Sequence, residues 1–393
     1  MRASEEQVKL RGMAWDHPRA TNPLRAISDD WSKTSGMPVV WDARPLKAFE
    51  DQPLEELAQG YDLILIDHPF VGFAATSELI VPVDDWVEPS YLADQANHSV
   101  GPSYQSYTWN GKQWALAIDA ACQVSAVRDD LLASSQGESL PNTWEEVVTL
   151  AERCHDCDHK AAIPLNPNHA YCAFLAIGTC AAGEKFWRPG MRVDEPAAHY
   201  ALEILRTLAS KVHPLSRESD PIRISDFMSR TNEIAYVPLL FGYSSYAREG
   251  FRTHKLRFAN APMGSSRRHG SVLGGVGLAL SARSLCLMQA AELARRIATP
   301  EIQSGIYADA GGQPGHGVAW DSCAVNRETN GFFQNTRATI QDAFVRPRVA
   351  GHRRFQVEVG ELIQRCIWER ELTSDNCLKE YGRLADVLLG EWK

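Results

Sequence analysis

Residues 15–23, WDHPRATNP, concentrate side chains that can bind or transform a small molecule. Trp15 offers an aromatic face, Asp16 a hydrogen-bond acceptor, and His17 a titratable donor. Arg19 adds a planar fork that suits a carboxylate or a phosphate. An apolar run precedes these residues and a helix-like segment follows them. We therefore expect a loop between the carboxyl end of a strand and the amino end of a helix, where open α/β sheets bind ligands.

The helix after this loop is predicted to begin with Asn22 as its N-cap and Pro23 in its first turn, where a missing N–H costs nothing. Gly36 is predicted to end it. A matching turn follows the third predicted strand and carries Asp67 and His68. Its position predicts that both side chains contact the same ligand.

A long extended segment, residues 113–127, is predicted to be a strand that leaves the first lobe, and it carries Asp119 and Cys122. Cys122 is the best nucleophile candidate, provided that it is an accessible thiolate in an electropositive setting. The alternative is a small buried cysteine, which is commoner. The other candidates for acid or base chemistry are His17, Asp67, His68 and Asp119.

Length and composition restrict the class of protein. A chain of 393 residues with 44% hydrophobic and 23% charged residues is typical of a soluble protein with two lobes. Its net charge of −9, without a basic stripe, argues against nucleic acid as a partner. No stretch is apolar enough to cross a bilayer, so an integral membrane protein is not expected.

The start of the chain and its cysteines bear on the expected location. MRASEEQVKL lacks the charged start, apolar core and cleavage site of a secretory leader. Nine scattered cysteines suit a reducing compartment. We expect a cytoplasmic protein as the chain stands, or a periplasmic one if a leader has been removed. The motif CHDCDH is interpreted as the end of a helix, and no metal site is predicted.

Secondary-structure signals alternate along the first third of the chain in a βαβαβ pattern, which predicts a parallel sheet with right-handed crossovers. Later segments predict a helix opened by a capping box of Thr143 and Glu146. They also predict an amphipathic helix with Ala201, Leu205 and Leu208 on one face, and a mainly helical end from about residue 330.

Several segments, in order, resemble the family 1 extracellular solute-binding proteins of ABC transporters. They are LIVPVDDWV, NGKQWALAIDAACQVSAVRDDLL, PNTWEEVVTLAE, GGVGLALS, and QAAELARRIATPEIQ followed by GGQPG. The resemblance spans nearly the whole chain and implies an α/β, two-lobed type II periplasmic-binding-protein fold with a central ligand cleft. It implies an N-terminal lobe of residues 1–118 and 259–325, and a C-terminal lobe of residues 119–258 and 326–393.

The resemblance also implies ligand contacts from later in the chain. Phe241, Tyr243 and Tyr246 stand where the family presents an aromatic wall, and the loop with Gln313 and His316 stands where it closes over the ligand. Gly274, in a glycine-bearing strand, indicates close packing or the approach of the backbone to a ligand.

Two hypotheses follow. In the first, the chain is a monomeric solute-binding protein that clamps a small polar solute, sugar-like or a small organic acid, between two lobes and works with an ABC permease. In the second, a cytosolic transferase, hydrolase, lyase or isomerase uses the same cleft, as thiaminase-like transferases do on this scaffold. The whole-chain resemblance favours the binding protein, and no cofactor is expected in either case.

Overall fold

The computed structural model describes residues 8–45, 54–132, 139–155, 157–188, 192–369 and 371–389. The chain forms two compact units, residues 1–120 with 275–325 and residues 121–274 with 326–393. The return to the first unit falls at residues 274–275 instead of at 259. The reason is that the strand Arg257–Ala259 pairs with Ser125–Val127 of the second unit.

The described strands are β1 (Leu10–Trp15), β2 (Val39–Arg44), β3 (Leu63–Ile66), β4 (Ile80–Val81), β5 (Thr108–Trp109), β6 (Lys112–Gln113), β7 (Leu116–Val127), β8 (Lys160–Ala161), β9 (Trp187–Arg188), β10 (Arg192–Val193), β11 (Ile234–Phe241), β12 (Arg257–Ala259) and β13 (Leu273–Ser281). The described α-helices are Pro18–Ser35, Leu54–Gly60, Val71–Thr76, Pro89–His98, Ser103–Ser106, Asp129–Leu132, Trp144–His155, Pro167–Ala182, Glu195–Ala209, Pro221–Arg230, Leu287–Ile297, Pro300–Ile302, Gly317–Asp321, Cys323–Glu328, Phe332–Gln341, His352–Trp368 and Ser374–Leu388. None of the described helices is long and apolar enough to cross a membrane.

The first unit is built on a sheet in the order β2-β1-β3-β13. β1 pairs in parallel with both β2 and β3, as the βαβαβ pattern predicts. β13 runs antiparallel to β3, so the sheet is mixed. The apolar run YDLILID predicts a strand covered on both faces, and this is confirmed because every residue of β3 is buried. Part of the helix-like segment after β2, residues 46–53, lies outside the described residues.

The helix after β1 begins earlier than its sequence predicts. It spans Pro18–Ser35, with His17 as the N-cap and Pro23 inside the helix, so the prediction of Asn22 as N-cap is wrong. Two helix starts are possible, at Pro18 after His17 and at Pro23 after Asn22. The earlier start is found because the His17 side chain accepts a hydrogen bond from the backbone N–H of Arg19, the second residue of the helix.

Other caps match their sequence signals. Gly36 ends the first helix in the left-handed conformation, with φ of 74°, as predicted. The Thr143 side chain accepts from the backbone N–H of Glu146, while the Glu146 carboxylate accepts from the backbone N–H of Thr143. This is the predicted capping box. Short local patterns therefore set these helix ends.

The second unit surrounds an apolar helix, Pro167–Ala182, that packs against the helices Glu195–Ala209 and His352–Trp368. The face of Glu195–Ala209 that carries Ala201, Leu205 and Leu208 is buried, as predicted. β11 pairs antiparallel with β7 and parallel with β8. The predicted helical end of the chain is confirmed by its last three described helices.

We predict that Gly12→Ala destabilises the first unit by about 1 to 3 kcal/mol, the usual cost of overpacking a filled core. A Cβ at Gly12 would lie 2.3 Å from ring atoms of Trp41. That ring is held by a 2.8 Å hydrogen bond from its Nε1 to Ser28 Oγ. Gly60→Ala is the control, since a Cβ there meets nothing within 4 Å. Equal urea midpoints for the two variants would contradict this packing.

Candidate functional site

The first unit brings together titratable and hydroxyl groups that we call the first-unit polar cluster. Its members come from the start of the first helix, the turn after β3, the strand β7 and the π-helix Gln303–Tyr307. They are His17, Arg19, Asp67, His68, Asp119 and Tyr307.

Arg19 and Asp119 form the centre of this cluster. Arg19 Nε donates to Asp119 Oδ2 at 2.8 Å, and Nη2 donates to Oδ1, so the contact is bidentate. Both side chains are almost completely buried. Burial raises the pKa of the Asp119 carboxyl, while the Arg19 guanidinium acts in the opposite direction. The Arg19 guanidinium, which the sequence predicts to bind an anionic ligand, is therefore already paired with a carboxylate of the same unit.

His17 orients the start of the helix that carries Arg19. Its Nδ1 accepts a hydrogen bond from the backbone N–H of Arg19 at 3.1 Å. In the neutral ring the proton then lies on Nε2, so that nitrogen is a donor. His17 is 6% exposed. It therefore acts as the cap of this helix.

Asp67 and His68 adjoin the ion pair from the turn after β3. His68 is fully buried, and its Nδ1 lies 3.7 Å from Asp67 Oδ1. The Tyr107 ring meets the His68 ring edge to face at 6.5 Å, and its hydroxyl donates to Ile66 O. The Asp67 charge also acts on Asp119. Contact of Asp67 and His68 with a ligand stays a prediction.

Tyr307 completes the cluster, and sequence reasoning missed it. It is 1% exposed, and both Asp119 and Arg19 act on it electrostatically. Burial raises its pKa far above the usual range, and the Asp119 charge adds to this, so it remains a neutral hydroxyl donor. The segment TPEIQSGIYADAG predicts a helix, and its π-helical turn could not be anticipated from that pattern.

One residue of the opening stretch, Trp15, lies elsewhere than the sequence indicates. Trp15 is the last residue of β1 and not a loop residue, because it continues the parallel register opposite Arg44. It is 4% exposed and belongs to the first-unit core. Asp16 is exposed, and its backbone N–H donates to Arg44 O. Contact of either side chain with a ligand stays a prediction.

Cys122 does not have the surroundings of a nucleophile. It is 3% exposed, and burial raises the pKa of its thiol to about 12, while a hydrogen bond with Ser271 acts in the opposite direction. The thiol form therefore dominates near neutral pH, where a nucleophile needs the thiolate. Cys122 is the small buried cysteine of the alternative interpretation.

The glycine-rich loop before the helix Gly317–Asp321 is tied to β7. Gln313 is fully buried, and its Nε2 donates to Ala120 O at 2.8 Å. His316 is 2% exposed and is the N-cap of that helix, accepting from the backbone N–H of Val318. Both predicted ligand contacts thus have structural roles that the sequence did not indicate.

Of the three aromatic residues predicted to face a ligand from the second unit, Phe241 is partly exposed, whereas Tyr243 and Tyr246 are buried. Phe241, at the end of β11, is half-buried, and a Cβ at Gly274 would lie 2.8 Å from its ring. Tyr243 is 7% exposed. Tyr246 is also buried. Its hydroxyl donates to Asp226 Oδ1 at 3.0 Å, and its ring packs on Phe251. Gly274 therefore serves close packing.

Sequence reasoning also missed a polar group beside Phe241. His169 meets the Phe241 ring edge to face at 6.0 Å, and its Nδ1 lies 2.8 Å from Asn166 Oδ1. Burial lowers the pKa of His169 to about 3, and the charge of Arg346 acts in the same direction. The signal that could have located it is Asn166-Pro167, the N-cap and first residue of the helix that carries His169.

Solved structures with the same fold cover almost all of the chain, whereas no family model matches it. The maltose-bound MalE3 of T. maritima superposes with a TM-score of 0.83 at 17% identity, over 97% of this chain and 99% of that chain. An ABC transporter solute-binding protein from Agrobacterium radiobacter, in complex with ribitol, gives 0.82 at 17% identity, over 97% and 98%. One from Thermotoga lettingae, bound with α-D-tagatose, gives 0.83 at 16%, over 97% and 100%. The chain has the fold of these proteins, as the sequence resemblance implies.

We predict that Asp119→Ala costs about 3 to 5 kcal/mol of the free energy of unfolding, because it leaves the Arg19 charge buried without its carboxylate. The double variant Arg19→Met/Asp119→Leu is expected to regain most of this loss. Asp85→Ala, which breaks an exposed pair with Lys112, is the control and should cost less than about 1 kcal/mol. Urea denaturation measures all three, and equal effects of Asp119→Ala and Asp85→Ala would contradict the assignment.

We predict that two buried histidines of the second unit make the protein less stable in acid. Burial lowers the pKa of both His169 and His352 to about 3, with Arg346 acting in the same direction. Between about pH 6.5 and pH 3, these two histidines are therefore protonated in the unfolded chain but neutral in the folded chain. Each histidine then removes about 1.4 kcal/mol of stability per pH unit.

The variant His352→Leu tests this pH dependence. In this variant the free energy of unfolding should fall less steeply as the pH is lowered, because one of the two buried histidines no longer takes up a proton on unfolding. His199→Leu changes an exposed histidine of the same unit and should leave the slope unchanged. Identical slopes for the parent and His352→Leu would show that His352 is not held neutral.

Proposed function

We propose that this chain is a solute-binding protein of the ABC-importer type, and that its ligand is a neutral sugar or polyol. The observation that carries the choice of ligand is the Arg19–Asp119 pair. Its charges cancel within the first unit, so the cluster offers hydrogen bonds without a net charge from this pair. Proteins of the same fold are described as bound to maltose, ribitol and α-D-tagatose, which is in keeping with this ligand class.

The donors and acceptors of the first-unit polar cluster suit hydroxyl groups. A sugar hydroxyl both donates and accepts, and the cluster offers both kinds of partner. His17 Nε2 and the Tyr307 hydroxyl are donors, while Asp67, with a side chain 22% exposed, is an acceptor. Such a set orients a polyhydroxylated ligand by aimed hydrogen bonds.

Phe241 of the second unit offers an aromatic surface that suits a sugar ring. It is half-buried and is supported by His169 at its edge and by Gly274. The C–H face of a sugar ring packs on such an aromatic side chain. We therefore propose for Phe241 the stacking role that the sequence pattern predicted for Trp15.

Two candidate residues of the enzymatic alternative have surroundings that do not favour catalysis. Its best nucleophile candidate, Cys122, is buried and is held as a thiol. Asp119, a candidate base, is engaged by Arg19. An importer role includes a permease partner and a location outside the cytoplasm, and both belong to this proposal.

Calorimetric titration with a panel of ligands tests the proposal. The panel contains maltose, ribitol, mannitol and tagatose together with citrate and succinate. We expect a neutral member to bind and the carboxylates not to bind. Phe241→Ala should weaken that binding at least about 10-fold through lost packing, roughly 1.4 kcal/mol. Trp86→Ala removes an aromatic residue that is 39% exposed and should have no effect.

The variant Asp119→Asn tests the role of charge. It removes the carboxylate that neutralises Arg19, so the variant should lose affinity for the neutral ligand and gain affinity for carboxylates. If the parent binds only carboxylates, or if Phe241→Ala binds as tightly as the parent, the proposed ligand class is wrong.

A further inference from the structure

Two histidines and an aspartate converge in the first unit, apart from the first-unit polar cluster. Asp94 and His98 lie one helical turn apart on the helix Pro89–His98, and His316 precedes the helix Gly317–Asp321. One ligand atom from each lies within 4.8 Å of the other two, and this is the one such group found in the described part of the chain. The His98 and His316 rings stack with centroids 5.5 Å apart.

The separations within this group fit a small cation. His98 Nδ1 lies 2.8 Å from Asp94 Oδ1, and His316 Nε2 lies 3.5 Å from Asp94 Oδ2. Ligand atoms at about 2.0 to 2.1 Å from a tetrahedral zinc ion are about 3.3 Å apart. Both measured separations, which end at the two different oxygens of Asp94, lie within about 0.5 Å of this value, and one ligand atom from each residue lies within 4.8 Å of the other two.

The backbone that carries these ligands is held in place. The Val100 N–H donates to Gly315 O at 3.1 Å, and Ser99 forms a β-bridge with His316. The Gly315 N–H donates to Gln303 Oε1 at 2.8 Å. A Cβ at Gly315 would lie 2.0 Å from Ala117 O, so the loop is packed closely against β7. Ligands on backbone of this kind are preorganised.

The hydrogen bonds of the group identify what a cation would replace. His98 Nδ1 faces both the carboxylate and the backbone carbonyl of Asp94, so it carries a proton. His316 Nδ1 accepts from the backbone N–H of Val318, so the proton of the neutral ring is on Nε2. Two N–H groups thus point at one carboxylate. An ion bound there takes the place of both protons, each ring carries its proton on the other nitrogen, and the cap bond to Val318 is given up.

We propose that Asp94, His98 and His316 form a binding site for a divalent transition-metal ion, with Zn²⁺ as the best match. Two imidazoles and one carboxylate are ligands that zinc accepts, whereas Mg²⁺ and Ca²⁺ require oxygen ligands. The Glu301 carboxylate adds negative charge near His316. Three protein ligands leave a coordination position for water. The bound ion links the end of the helix Pro89–His98 to the loop that carries Gln313.

Zinc binding to the tag-free full chain, measured by equilibrium dialysis and by calorimetry, tests the site. We expect one Zn²⁺ per chain, displaced neither by excess Mg²⁺ nor by excess Ca²⁺, and visible absorption from Co²⁺ bound in its place. The variants that remove one ligand each are Asp94→Asn, His98→Gln and His316→Asn. Asparagine at 316 retains a side chain able to cap the helix, so this variant separates metal binding from folding. Each variant should bind Zn²⁺ at least about 10-fold more weakly, which is roughly 1.4 kcal/mol.

Two matched controls exclude other zinc sites. His199→Gln removes an exposed histidine that is also paired with an aspartate, Asp375, at 3.1 Å. Cys157→Ser removes the exposed thiol of the CHDCDH motif. Both controls should bind Zn²⁺ like the parent. A parent that binds no Zn²⁺, affinity unchanged in His98→Gln, or affinity lost in Cys157→Ser would each overturn the proposal.

Discussion

The buried pair of Arg19 and Asp119 is the constraint on which the first unit depends. It joins the first turn of the helix Pro18–Ser35 to β7, the strand along which the chain leaves this unit. A buried charge is stable only when it is paired, so a change of either residue alone leaves its partner buried without an opposite charge. The backbone beside it is equally restricted. Gly275 has φ of 91°, and a Cβ there would lie 2.2 Å from the backbone carbonyl oxygen of Asp119, so only glycine fits where β13 passes the backbone of Asp119.

In the function that we propose, this pair also determines which ligands the first-unit polar cluster binds. An arginine without a carboxylate would select anions, but here the carboxylate belongs to the protein. The remaining groups are hydroxyl and imidazole donors with the Asp67 acceptor, which suit neutral hydroxyls. The same ion pair that stabilises the fold therefore sets the ligand class that we propose.

The loop that contains Gln313 connects this cluster with the proposed metal site. Pro314 forms a β-bridge with Asp119, and Gln313 exchanges hydrogen bonds with Ala120 in β7. His316, a few residues later, contacts Asp94. An ion held by His316 would restrict the loop next to the carboxylate of the central ion pair. Metal occupancy and the order of the polar cluster would then be linked through a short, well-packed segment.

The sequence by itself determined what depends on local pattern. Alternating apolar periods specified the βαβαβ start, the buried β3 and the apolar face of Glu195–Ala209, while Gly36 and the Thr143–Glu146 box marked helix ends. The order of motifs over the whole chain indicated the fold.

Only the tertiary structure decided which residues meet. Contacts between distant segments gave Arg19 its partner Asp119, buried Tyr246 against Asp226, and placed His169 beside Phe241. The same packing brought His316 to Asp94 and His98. Periodicity and caps are properties of neighbours in sequence, whereas burial, ion pairing and metal geometry depend on segments that only folding brings together.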